Sequence, residues 1–269
     1  MKTAGSMLKL LCRRARTLTA LSLTPLLACL PLTGCQSKPE LVAPEVVVAP
    51  YGATNMQTPV FAVAPLRNES GVSAADTLRV GDALCARLAE VRGIAALPLN
   101  RTISAMRALR MSEVRTPEDA RRLATAVGAD ALIVGSVTAY DPYDPPKMGL
   151  TLGMYARPGS VLTTQTSAPL DLKAMQTLPD ETNWSAATFA DKPLSVVSEH
   201  LDAANHEVLM NVQRYAEGRH RSGTALGWER YIKSMDLYTD FAASWAVQRL
   251  MQQERLRVAR QRVEKPANR

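Results

Sequence analysis

Gly128-Ala129-Asp130-Ala131-Leu132-Ile133-Val134-Gly135-Ser136-Val137 decides the fold of this chain. From Ala131 the run is nearly continuous in apolar side chains, the pattern of a strand buried on both faces and not of one that alternates between core and solvent. Gly128 stops a helix whose beginning is equally marked: Thr116 caps it, Pro117 takes its first position, and Glu118 and Asp119 place acids in its first turn. After the strand, Tyr140-Asp141-Pro142-Tyr143-Asp144-Pro145-Pro146 must turn the chain, and residues 148–155 return as a strand antiparallel to the first.

Working outward toward the N-terminus, Val60-Phe61-Ala62-Val63-Ala64 is another unbroken apolar run, bounded by Pro59 and Pro65, and Leu66-Arg67-Asn68-Glu69-Ser70-Gly71 follows it as a loop. From Ser73 the spacing turns helical, with Leu78, Cys85, Leu88 and Val91 on one side, and Gly93 ends the helix. Residues 94–99 read as a short strand, Asn100 as a cap, and Ile103, Met106 and Leu109 as the stripe of a short helix. The order strand, helix, strand, helix, helix, strand, strand predicts an α/β fold, a mixed-sheet sandwich with helices on its faces, over residues 59–156.

Residues 157–196 are rich in Ser, Thr, Ala and Pro with weak periodicity, and are expected to be an irregular excursion. Residues 197–262 are expected to be helical. A stripe of Leu201, Val208, Leu209, Val212 and Tyr215 predicts one helix over 198–216, and a second from about Trp228 to Arg260 carries Tyr231, Ile232, Met235, Tyr238, Phe241, Ala242, Trp245 and Met251. That aromatic face reads either as core or as a partner-binding stripe, with Tyr238 and Trp245 as the residues to watch. The end beyond Gln252 is polar and basic, and residues 263–269 are expected to be a disordered tail.

The N-terminus decides where the protein works. Lys2, Lys9, Arg13, Arg14 and Arg16 precede an apolar run over 18–32, the layout of a secretory signal over residues 1–34. Thr24-Pro25 interrupts a run already too short to span a bilayer, which needs roughly 20 apolar residues. Leu32-Thr33-Gly34-Cys35 resembles the bacterial lipobox, whose cysteine is acylated and becomes the first residue of the mature chain. Leu26-Leu27-Ala28-Cys29 fits that pattern less well. Cys35 is therefore the expected lipid anchor, and Gln36 after it, not aspartate, resembles the signal for sorting to the outer membrane. Residues 35–58, with Pro39, Pro44 and Pro50, are expected to form a tether.

Removing the signal changes the charge. The chain carries +7, but the leader holds five of the 32 Lys/Arg and none of the 25 Asp/Glu, which leaves +2. Nucleic-acid binding loses its electrostatic support. Cys12 and Cys29 leave with the leader and Cys35 is acylated, so Cys85 alone remains and no internal disulfide framework is available.

The stretch from Val60 to Gly71 followed by a long helix, and Gly128 to Val137, resemble the two signature stretches of a family of bacterial envelope domains. That family includes the N-terminal domain of the Tol translocation protein, the curli secretion-channel lipoprotein, lipoprotein activators of penicillin-binding proteins and flagellar outer-membrane lipoproteins. The resemblance covers residues 59–156. It implies a docking platform with no shared catalytic site.

The residues themselves offer little chemistry. His200 and His206 are six apart and His220 stands alone among arginines, spacings that do not build a helical metal pair. No Gly-rich phosphate loop or Gly-x-Ser-x-Gly elbow occurs. Asp141 and Asp144 are explained by turn hydrogen bonds without a metal, and Glu69 and Asp130 are single carboxylates in separate places. The expectation is a non-enzymatic lipoprotein without metal or cofactor, attached to the periplasmic face of the outer membrane and docking another envelope protein. Its contact candidates are Asn68, Glu69, Tyr140, Asp141, Tyr143, Tyr238 and Trp245, and a homo-oligomer is open to it. The alternatives are a binder of a small glycan or lipid, or a secretion-apparatus subunit.

Overall fold

The structure is a computed structural model that describes residues 43–51, 58–160, 162, 192–220 and 223–264, the last four as backbone only. Cys35 and the leader lie outside the described residues, as do nearly all of 161–191 and the tail after 264.

A mixed sheet forms the centre, in the order β3-β1-β4-β5-β6, with the short β2 pairing to β4 beyond the end of β1. The strands are β1 (Val60–Val63), β2 (Arg67–Asn68), β3 (Ala95–Ala96), β4 (Ala131–Asp141), β5 (Lys147–Ala156) and β6 (Ser195–Asp202). β1 runs parallel to β3 and β4, and β2 continues the same parallel ladder at Arg67↔Ser136 and Asn68↔Val137. Pro65, which has no N–H to give, falls in the gap between the two pieces. β4, β5 and β6 form an antiparallel meander. Gly135 in β4 leaves no room for a side chain, since a Cβ there would stand 2.2 Å from the Thr151 carbonyl oxygen. The β4–β5 ladder slips once between Val137 and Ala139, leaving Thr138 as an exposed bulge.

Helices cover both faces. α1 (Thr77–Ala89), α4 (His206–Ala216) and α6 (Met235–Glu264) bury Phe61, Val63, Ile133, Met148, Leu150, Leu152 and Met154 on one side. α2 (Leu99–Ala108) and α3 (Pro117–Val127) bury Ala62, Ala64 and Leu132 on the other. α3 starts and stops where its sequence says: the Thr116 side chain accepts from the Asp119 N–H, Asp119 answers to the Thr116 N–H, and Gly128 ends the helix at φ 72°. The α/β sandwich with an additional C-terminal helix is the fold of the described residues.

Several local expectations change. The apolar side of α1 is Val80, Ala83, Leu84, Cys85 and Leu88, while Leu78 is 50% exposed, so the stripe is rotated away from Leu78. Asn100 lies inside α2 and does not cap it; Pro98 occupies the cap position without a side-chain bond. The helix expected over 198–216 is a strand and a helix: residues 195–202 alternate buried and outward along β6, and α4 begins only after Asn205, whose side chain accepts from the Glu207 N–H. The expected helix from Trp228 breaks at Ser234, which takes an extended conformation (φ −123°, ψ 118°) between the short α5 (Arg230–Lys233) and α6. The distal part of α6 stays on the body through Leu250, Met251, Glu254 and Val258. Residues 43–51, expected to be tether, lie against the body: Ala49 is buried, and Val48 bridges to Arg92.

Candidate functional site

Five of the seven contact candidates come together at one end of the sheet. Asn68 closes its loop on itself, its Oδ1 accepting from the Ser70 N–H (3.1 Å) and the Ser70 hydroxyl (2.7 Å) while its Nδ2 donates to the Val72 carbonyl (2.8 Å). Glu69 pairs with Arg67 at 2.9 Å on the surface. The neighbouring strand position is Val137, and past the Thr138 bulge β4 runs on to Tyr140 and Asp141. Tyr140 is half-buried against the helical layer. Burial first, then the charges of Asp236 and Asp76, raise its phenol above the ordinary value.

The turn that follows is stiffened from three directions. Within it, Asp141 Oδ1 accepts from the Tyr143 N–H at 3.1 Å. From α5, Lys233 donates to Asp144, and this partner holds the lysine above its usual value. From β6, Asp202 pairs with Lys147 at 3.0 Å while the Ala203 N–H donates to the Pro146 carbonyl. The Ala204 N–H, and then Lys147, hold the Asp202 carboxyl below its usual value. Pro142, Pro145 and Pro146 remove backbone freedom from the same seven residues. The outcome is a proline-stiffened tip from which Tyr143 projects with 80% of its surface exposed.

The other two candidates sit elsewhere. Tyr238 is completely buried in the core beside Phe241, with its ring 5.6 Å from that ring, and burial drives its phenol well above the normal range. This corrects its reading as a contact residue: no partner can reach it. Trp245 is half-buried, donates from Nε1 to Glu199 (3.0 Å), and has the Arg249 guanidinium 4.7 Å from its ring centroid, so the chain's own groups already cover it. Asp130 is also structural. Its carboxylate accepts from the Val60 N–H (2.9 Å) and from Arg157 Nη2 (3.0 Å), pinning the start of β1 to the end of β5.

Two features escaped sequence reasoning. One is a buried carboxylate: Glu254 is 0% exposed, accepts from the Tyr51 hydroxyl at 2.9 Å and from the Ser195 hydroxyl, and is clasped by Arg257 through Nε (2.9 Å) and Nη2 (2.8 Å). Its only sequence signal is that it continues the buried stripe of Val247, Met251 and Val258 at helical spacing. The other is a cleft of about 560 Å³ lined by Arg87, Glu90, Tyr215, Arg219, Tyr231 and residues 44–47, among others. Arg87 and Arg219 share the Glu90 carboxylate at 2.8 and 3.6 Å, Arg219 lies 4.3 Å from the Tyr215 ring centroid, and the buried Nε of Arg87 has no hydrogen-bond partner.

The described titratable groups do not assemble into a reacting centre. Among the described residues no three His, Cys, Asp or Glu side chains stand close enough to hold a metal ion. The His220 ring nitrogen is 2.6 Å from the Ala216 carbonyl, a bond within its own helix end. Cys85 is free and buried, and burial pushes its thiol up to about 11, away from the thiolate a nucleophile needs.

No family model matches this chain, and no curated protein does. Solved structures to which the chain is similar include lipoprotein GNA1162 from Neisseria meningitidis, at 16% identity and a TM-score of 0.37 over 57% of this chain and 92% of that one. The LpoB C-terminal domain from Salmonella enterica is 14% identical with a TM-score of 0.32, over 56% and 87%. The hypothetical protein CT253 from Chlamydia trachomatis is 11% identical with a TM-score of 0.33, over 75% and 96%. Likeness at this level assigns no residue a role.

Proposed function

We propose that this chain is a non-enzymatic lipoprotein, anchored through an acylated Cys35 to the periplasmic face of the outer membrane, that docks another envelope protein through the end of its sheet carrying the 140–147 turn. The observation that supports this reading is the turn itself. An aromatic side chain held out by three prolines, an internal Asp141 bond and braces from Lys233 and Lys147 has lost most of its freedom before any partner arrives, so binding costs less ordering entropy there. Rigid, exposed tyrosines are the side chains that carry binding energy in protein interfaces. The Asn68 loop beside it supplies a second fixed edge. An acyl anchor concentrates the protein on a surface, where a weak contact suffices.

Crosslinking in intact cells tests the reading. Tyr143→Ala, which removes only exposed surface, is expected to cut recovery of the crosslinked partner at least tenfold with an unchanged melting temperature. Unaltered recovery would rule out the turn as the contact. Mass spectrometry of the natural protein is expected to find Cys35 N-terminal and acylated, and a bare thiol or a retained leader would defeat the anchor.

A second reading rests on the cleft. Two guanidiniums share one carboxylate at this cleft, a basic lining that suits a small anionic, oxygen-bearing ligand. A sugar acid that raises the melting temperature of the wild type but not of Arg87→Lys would favour it.

A further inference from the structure

The two edges of the sheet are finished differently. On one side β3 is only two residues long and Pro98 follows shortly after it, so little backbone is open there. On the other, β6 runs for eight residues beside β5 in a single register, from Met154↔Ser195 to Lys147↔Asp202, and among the described residues nothing pairs with its far side. The ladder decides which groups are left over. The Ala203 N–H donates to the Pro146 carbonyl at 3.0 Å, so by alternation Leu201, Glu199 and Val197 turn their N–H and C=O toward β5, while His200, Ser198 and Val196 turn theirs outward.

Edge strands are ordinarily blunted by lysine, proline, a bulge or a charge turned toward the core. β6 contains no lysine or proline, its ladder to β5 has no bulge, and Val196 leaves 53% of its surface exposed. The inward charge is the one device present. The Glu199 carboxylate accepts from Trp245 Nε1 at 3.0 Å and lies 3.5 Å from Arg249, yet its side chain is still 26% exposed. A charge held there does not close the edge to every strand; it selects among them. In either two-fold antiparallel register that pairs all three outward residues with a second copy of the chain, Glu199 stands opposite or diagonal to its own counterpart, and like charges facing each other across strands are destabilising. A strand with a donor side chain at that place meets no such penalty.

We propose that the open edge of β6 is a strand-addition site for an extended segment of a different protein, laid antiparallel to β6 and carrying a hydroxyl, amide or basic side chain opposite Glu199. Main-chain bonds to Val196, Ser198 and His200 supply the affinity, and Glu199 supplies the selection against acidic segments and against self-pairing. The edge does not depend on the 140–147 turn contact.

The test uses the full-length chain and two peptides as long as β6, both alternating valine and threonine, one with lysine and the other with glutamate opposite Glu199. In the chain alone, amide exchange is expected to alternate, fast at Val196, Ser198 and His200 and slow at Val197, Glu199 and Leu201. The lysine peptide, at about ten times its Kd, is expected to slow the three fast amides about tenfold, and the glutamate peptide to need at least about tenfold more for the same effect. Glu199→Gln is expected to bring the two peptides level. His200→Pro, which removes an outward N–H and no ladder bond, is expected to abolish the protection with a melting temperature close to the wild type's. Outward amides already slow in the chain alone, equal protection of the wild type by both peptides, or none from the lysine peptide overturns the proposal; slow amides that quicken on dilution assign the edge to a second copy instead. The readout does not involve Tyr143, so either contact can fail alone.

Discussion

Three of the ion-paired carboxylates among the described residues differ chiefly in depth. Glu254, 0% exposed, sits under residues 43–51 with Arg257; Asp130, 13% exposed, joins β1 to β5 with Arg157; Asp144, 52% exposed, meets Lys233 on the open turn. The first region is a buried network beneath that segment and the last a bracket in water at the sheet end. The same pair of charges does different work in the two places. In the network, loss of one partner abandons a desolvated charge, whereas at the turn water replaces the partner at once. Stability belongs to the buried end, and the exposed end is free to be shaped for contact.

Substitutions along that depth scale test the contrast. Glu254→Ala abandons Arg257 in the interior and is expected to cost about 3–5 kcal/mol in chemical denaturation. A cost below about 1 kcal/mol would mean that the network is hydrated and the contrast empty. Asp130→Ala removes the bonds to Val60 and Arg157 and is expected to cost about 1.5–3 kcal/mol, between the two extremes. At the exposed end the effect is expected through pH: the folded-state value of Asp202 is depressed, so its contribution is complete above the unfolded value near 3.9 and disappears as pH falls through the lower folded value. Asp202→Asn should lower stability at neutral pH by that contribution and flatten the acid limb, the two curves converging at low pH. Lys233→Ala, smallest of all, is expected to leave the melting temperature within error while loosening the turn, seen as faster amide exchange at Tyr143.

What the sequence made legible follows the same division between local and distant causes. α3 is readable because Thr116, Pro117, Asp119 and Gly128 act within their own helix, and β1, β4 and β5 are readable because continuous apolar runs and a proline-rich turn are local signals. β6 was not. Ser195, Val197 and Leu201 face the core with period two, but Leu201 also fits a helical stripe with Val208 and Val212, and only pairing with β5 chooses between the two. Of the candidate site, the turn was visible because prolines and Asx bonds work within a few residues. Tyr238 was misplaced since an aromatic on a long helix reads the same whether its face meets a partner or the molecule's own sheet. The Tyr51–Glu254 bond, 203 residues apart in sequence, has no local signature at all. Asn68 and Asp130 set loop closure and strand attachment, roles that depend on partners at a distance the sequence does not mark.

Thr138 is the one residue of the β4–β5 ribbon that the ladder counts but does not pair. Removing it would keep Ala139 opposite Gly149 and Tyr140 opposite Met148, yet straighten the bend that such an extra residue imposes. The tyrosine at the tip would then keep its chemistry and its bracing while pointing along another line. Direction and composition are thus separate variables in this hairpin, and one could be retargeted by the insertion or loss of a single residue without rewriting the other.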